Sequence, residues 1–143
     1  MIIGKQQFFQ YQNMFYHKLQ QTPHTIQLEI VEVRKSSGEF NMDEFVGDSH
    51  RESKVYTFNA LYEKEISGRT REKYGLPKEV NGVIYLSPKQ LVPILGDFHL
   101  NWNRTKVHFN GHVQVIDRIV YLEEMYGSCI GVQIFIKDSL KGG

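Results

Sequence analysis

Apolar residues first recur at helical spacing. Phe8, Tyr11, Phe15 and Leu19 stand three or four positions apart. They lie in a Gln-rich stretch free of Gly and Pro, which predicts a helix over residues 5–21, stopped by Pro23. Phe9, Met14 and Tyr16 widen the stripe, as expected of a helix laid on a sheet or on a neighbouring subunit. A helix bound to a membrane surface carries several cations on its polar face. This one has Lys5 and Lys18, so its flanks favour packing against protein.

From Thr25 the period drops to two. Ile26, Leu28 and Ile30 alternate with Gln27 and Glu29, and Val31 and Val33 then take the other face, which predicts a bulge between them. Tyr56, Phe58, Ala60 and Tyr62 alternate with Val55, Thr57 and Asn59. Residues 83–86 form a short, fully apolar strand, and Ile130, Val132, Ile134 and Ile136 alternate with Gly131, Gln133 and Lys137. All read as antiparallel strands with one face on a core. Asn110-Gly111 is the best hairpin signal. A two-residue turn there pairs Phe109 with His112, whereas one extra turn residue pairs Phe109 with Val113. The second register stacks Val107, Phe109, Val113 and Val115 on one face, so hydrophobic pattern favours it.

Ser87-Pro88-Lys89-Gln90 has the form of a capping box with Pro at the first helical position, and Pro93 limits that helix to one or two turns. The chain thus reads as a single domain over 1–143, mainly β. It is expected to be a small antiparallel β-barrel or sandwich of about six strands, with an N-terminal helix and a β core over 25–137. Two long loops, 36–53 and 64–82, interrupt that core.

Charge sharpens the picture at those loops. The chain has 17 Lys+Arg against 16 Asp+Glu, a net charge of +1, which argues against nucleic-acid binding through bulk charge. The first loop holds Glu39, Asp43, Glu44 and Asp48 with no cation before Arg51. The second holds Lys64, Arg69, Arg71, Lys73 and Lys78 against Glu65 and Glu72. Long loops of opposite charge on a compact β-domain suit contacts with a partner.

Catalytic chemistry is not nominated. The six histidines are scattered; His108 and His112 bracket the turn, and Asp97 and His99 stand two apart without a third ligand in sequence. The lone Cys129 opens an apolar strand and reads as a small buried hydrophobe. There is no nucleophile elbow, phosphate-cradling Gly loop, zincin helix or dinucleotide fingerprint. No enzyme, metal or cofactor is expected, and neither a signal peptide nor a membrane span. Tyr74 and Trp102 beside cations leave single-stranded nucleic acid as a second reading, although exposed Arg and Tyr serve protein interfaces equally well.

Residues 83–86, the 107–115 hairpin and the alternating 131–137 strand together resemble the head-closure (stopper) and related neck proteins of tailed bacteriophages. The resemblance covers roughly the last 60 residues. It implies a structural head–tail connector, a homo-oligomeric ring between portal or adaptor and tail around the DNA channel. The protein would be made in the host bacterial cytoplasm and reside in the virion. Its partners would be itself, portal, adaptor and tail proteins, with non-specific contact to packaged DNA. A tail-completion or terminator protein would look similar. In this frame Arg69, Arg71 and Lys73, with Lys64 and Lys78, would meet the DNA channel or a neighbouring subunit. Glu39, Asp43, Glu44 and Asp48 would form the acidic partner loop, and Phe8, Phe15, Tyr74 and Trp102 the interface aromatics.

Overall fold

The computed structural model describes residues 4–22, 24–34 and 50–138. The elements in chain order are α1 (Lys5–Gln20), β1 (Thr25–Arg34), β2 (His50–Asn59), β3 (Leu61–Glu63), α2 (Gly68–Tyr74), β4 (Gly82–Leu86) and α3 (Pro88–Leu95). A 3-10 turn (Trp102–Arg104) then leads into β5 (Thr105–Phe109), β6 (His112–Leu122) and β7 (Gly131–Asp138). The strands form one antiparallel seven-stranded sheet in the order β2-β1-β5-β6-β7-β4-β3, curled into a half-barrel. The mainly β expectation with an N-terminal helix is met.

The curl has a local cause. β2 and β3 lie at opposite edges of the sheet, yet only Ala60 separates them in the chain. The backbone therefore passes from one edge to the other in a single corner. Thr22 Oγ1 donates to the Ala60 carbonyl at 2.7 Å, the Ala60 amide donates to the His24 carbonyl at 3.0 Å, and Gln90 Nε2 donates to the Asn59 carbonyl at 2.7 Å. Each satisfies a backbone group that the interrupted ladder leaves unpaired.

The concave face holds Ile26, Leu28, Phe58, Ile84, Val107 and Ile134, plugged by Leu91 of α3 and by Phe98 and Leu100 after it. α3 starts as its sequence predicts. The Ser87 hydroxyl accepts from the Lys89 amide at 3.1 Å, and Gln90 Oε1 accepts from the Ser87 amide at 2.8 Å. α1 lies against one end of the sheet through Phe8 and Leu19, both fully buried and each stabilising by roughly 1.5–3 kcal/mol. Its inward stripe differs from the apolar pattern, because Gln12 is buried while Tyr11 is 41% exposed. Gln12 Nε2 donates to Ser128 Oγ and to the Cys129 carbonyl, both at 2.8 Å, which ties the helix to the turn before β7.

Four sequence expectations are corrected. β1 pairs with β2 without a register shift from Thr25↔Asn59 to Arg34↔His50, so the bulge before Val31 is absent. The Asn110-Gly111 hairpin takes the tight register, Phe109↔His112, with φ of 56° and 78° at the two turn residues. These angles are those of a type I′ turn, whose twist matches its flanking strands. Val113 and Val115 consequently face outward at 39% and 40% exposure, Gln114 points in, and the bulge falls later, between Ile116 and Arg118. Strands β4 and β7 are not half-buried: Val132 to Ile136 are all buried. Lastly, 64–82 is not an open loop. α2 and the turns after it lay Ile66, Tyr74, Leu76 and Val80 over Val83 and Phe135 on the convex face.

Candidate functional site

The basic segment is built as a cap. Ser67 Oγ accepts from the Thr70 amide at 3.1 Å to start α2, and Gly75, at φ 61°, ends it in the left-handed conformation. The Arg71 guanidinium donates to the Pro77 carbonyl at 3.1 Å and to the Val80 carbonyl at 2.7 Å, so it fastens the chain after α2 onto the sheet. Arg69, Lys73, Lys64 and Lys78 are exposed, with Lys73 Nζ 5.3 Å from the centre of the Tyr74 ring. Of the five predicted cations, four face solvent and Arg71 is engaged within the chain.

The predicted aromatics are mostly spent inside the molecule. Phe8 is fully buried, edge-on to Phe9 at 5.0 Å and to Tyr126 at 5.4 Å. Phe15 meets Tyr85 edge-on at 6.2 Å and covers Gly131, where an added Cβ would lie 2.6 Å from its ring. Tyr74 packs on Phe135 at 5.6 Å. Trp102 opens the 3-10 turn. Glu39, Asp43, Glu44 and Asp48 lie outside the described residues.

The most distinctive surface feature is a ribbon. β1 and β2 pair over ten residue positions, but on its other side β1 pairs with β5 only from Gln27 to Ile30. Val31–Arg34 and their partners His50–Ser53 thus continue as two strands past the rest of the sheet. At ~3.3 Å per residue this arm extends about 13 Å. A two-stranded ribbon is marginal in water unless a face is covered.

A groove of about 470 Å3 lies at the foot of the ribbon. Ile30 and Tyr56 supply one wall, and Ile94, Leu95 and Leu100 supply the other. Asp97, His99, Asn101 and Arg104 make a polar rim. The rim is set by local structure: Gly96 ends α3 at φ 82°, and the Asn101 carbonyl accepts from Thr105 Oγ1 at 2.8 Å.

His99 clamps that rim. Its Nδ1 meets Asp97 Oδ1 at 3.1 Å, its Nε2 meets Glu124 Oε2 at 2.8 Å, and its ring lies 4.0 Å from Phe98 and 4.9 Å from Tyr121 between centres. Carboxylates at both ring nitrogens require both to donate, which is the imidazolium form. The hydrogen bond to Glu124, with Asp97 adding to it, accordingly raises the His99 pKa above 6.5. The backbone amide of His99 is the main cause that lowers the pKa of Asp97. Glu124, 25 residues away, is the third member that sequence spacing missed. The two carboxylates sit on opposite nitrogens and share no apex, and among the described residues no three His, Cys, Asp or Glu converge on a metal position.

The other candidates are structural. His108 Nε2 meets Glu29 Oε1 at 2.8 Å across β1 and β5, and this bond is the main cause lowering the Glu29 pKa. Cys129 is fully buried, and burial pushes its thiol up to about 12, well out of the nucleophilic range. No helix among the described residues is long and apolar enough to cross a membrane. Comparison of the chain with protein-family models and with curated protein sequences found no match.

Proposed function

We propose that this protein is a non-enzymatic, self-assembling structural component of a tailed-phage head–tail connector, forming a ring between portal or adaptor and tail. The ribbon of Val31–Arg34 with His50–Ser53 carries this reading. Where β1 outruns β5, its outer backbone groups have no strand partner among the described residues, which suits an arm that gains its cover from a neighbour. Exposed Val55, Val92, Ile94, Val113 and Val115 add apolar surface outside the core, of the kind that subunit contacts bury. Arg69, Lys73, Lys64 and Lys78 provide a cationic face for an acidic neighbour or for DNA in the channel. Tyr74 lies against Phe135 rather than standing free as a stacking platform, so the geometry favours a protein interface over a single-stranded nucleic-acid site.

Mass photometry and electron microscopy of the purified chain, alone and with portal, adaptor and tail proteins, test this. The expected result is a closed ring, formed alone or on the partner. A chain that stays monomeric and binds no head or tail component would overturn it.

A further inference from the structure

We propose that the groove at the foot of the ribbon receives the acidic, aromatic 36–49 segment of a second copy of this chain. The inference rests on the ring reading above and supplies its subunit contact. Segment 36–49 combines Phe40, Met42, Phe45 and Val46 with Glu39, Asp43, Glu44 and Asp48, and contains no Lys or Arg. The groove has the complementary layout. Its walls are Ile30, Tyr56, Ile94, Leu95 and Leu100, with Ile94 50% exposed. Its volume of about 470 Å3 falls in the range of roughly 300–1,000 Å3 that takes a ligand or a few side chains.

Charge agrees with this pairing. Exposed Arg104 stands on the rim and has no carboxylate partner among the described residues. Exposed Lys54 shares the inward face of β2 with Tyr56, directly across from Ile30. Asp97 is the anion of that rim and, with Glu124 beyond it, is engaged by His99, while Glu52, on the same face of β2 as Lys54, has an interaction of its own. Arg104 and Lys54 therefore remain as cations for incoming carboxylates.

Reach agrees as well. The segment hangs from an arm of about 13 Å, and half of a 15-residue connection adds at most about 25 Å when extended. The total is comparable with the diameter of a domain of this size, roughly 37 Å. The ribbon carries both ends of the segment past its own sheet, and a span of this length reaches the groove of an adjacent subunit. Arm-into-groove is a heterologous contact, which generates a ring where the rotation between successive subunits closes.

Crosslinking decides the matter, because buried Cys129 leaves engineered cysteines as the reactive ones. Differently tagged full-length chains, one Phe45→Cys (or Phe40→Cys) and one Ile94→Cys, are mixed under conditions where mass photometry shows the oligomer, with head or tail proteins added if needed. A short bismaleimide is then applied. The expected product joins the two tags, and the Phe45→Cys/Ile94→Cys double variant gives a multimer ladder. Arg104→Glu, at an exposed position, should weaken self-association at least tenfold with its melting temperature unchanged. An intrachain product from the double variant would place the segment in its own groove and overturn the proposal. An oligomer without the crosslink would overturn it while leaving the ring reading intact. No oligomer under any of these conditions would remove the ring reading itself.

Discussion

Methionine in place of Arg71 removes the fork that holds the chain after α2 against the sheet, while keeping most of the apolar stem. The Val80 carbonyl loses a donor at 2.7 Å in a partly buried setting, and the Pro77 carbonyl loses one at 3.1 Å where water can replace it. Hydrogen bonds to a charged group contribute about 1.5–3 kcal/mol when buried. With the Pro77 bond near zero and the Val80 bond in that range, the expected cost is about 2 kcal/mol. For a chain of this size each kcal/mol moves the melting temperature by roughly 2–4 °C, so a fall of roughly 4–8 °C is expected. Arg69→Met is the control, since Arg69 is exposed on the same helix and such sites usually change stability by less than about 0.5 kcal/mol. Circular-dichroism melts and urea titrations of the two variants give the comparison. Hydrogen exchange gives a second readout: the Asn81 amide, bonded to the Ile136 carbonyl at 3.0 Å, should lose protection in Arg71→Met alone. Equal melting temperatures for the two variants would refute the assignment of Arg71 to the cap and return it to the exposed cationic face.

Gly131→Ala should destabilise by about 1–2 kcal/mol by driving a methyl group into the Phe15 ring, and Phe15→Leu in the same chain should recover more than half of that in a double-mutant cycle. The His99 imidazolium holds Asp97 and Glu124, so its contribution is complete below pH 6.5 and is lost as pH rises through the raised folded-state pKa. His99→Gln should remove that part of the stability–pH profile, by about 1 kcal/mol given the solvent exposure of all three groups. An unchanged slope between pH 6 and 9 would show that the clamp is not formed. Cys129 should resist Ellman's reagent at pH 8 in the folded chain and react at once in urea. Rapid native labelling would contradict its burial.

The strands were legible because alternation survives burial on one face: residues 26–30 and 55–59 hold the pattern that their ladder requires. The start of α3 was equally legible, since a capping box is a local device that needs no distant partner. In the 107–115 hairpin two sequence signals disagree. Burying Val113 and Val115 demanded a wider turn, whereas Asn110-Gly111 is suited to a tight one. The turn prevailed, and its cost is visible at Gln114, which is drawn inward with Oε1 unpartnered among the described residues. Local backbone geometry outweighed the packing of two valines, and the sheet restored its hydrophobic phase with a bulge after Ile116.

The cap and the clamp were hidden for different reasons. Ser67 and Gly75 bracket α2 with signals that could have been read, but the run of cations between them looks like solvated loop. What those signals could not reveal is that Arg71 turns inward, because its acceptors are backbone carbonyls, which carry no side-chain signature. The His99 clamp is unreadable in principle from spacing. It joins the segment after α3 to the turn after β6, and only the strand order of the folded sheet brings them together. The ribbon is subtler still. The sequence sets the length of β1 and β2, but an overhang is a difference between strands: ten residues in β1 against five in β5. A strand longer than its neighbour leaves backbone groups unpaired on that side, and so the length mismatch, rather than any reactive side chain, is what the proposed subunit contact rests on.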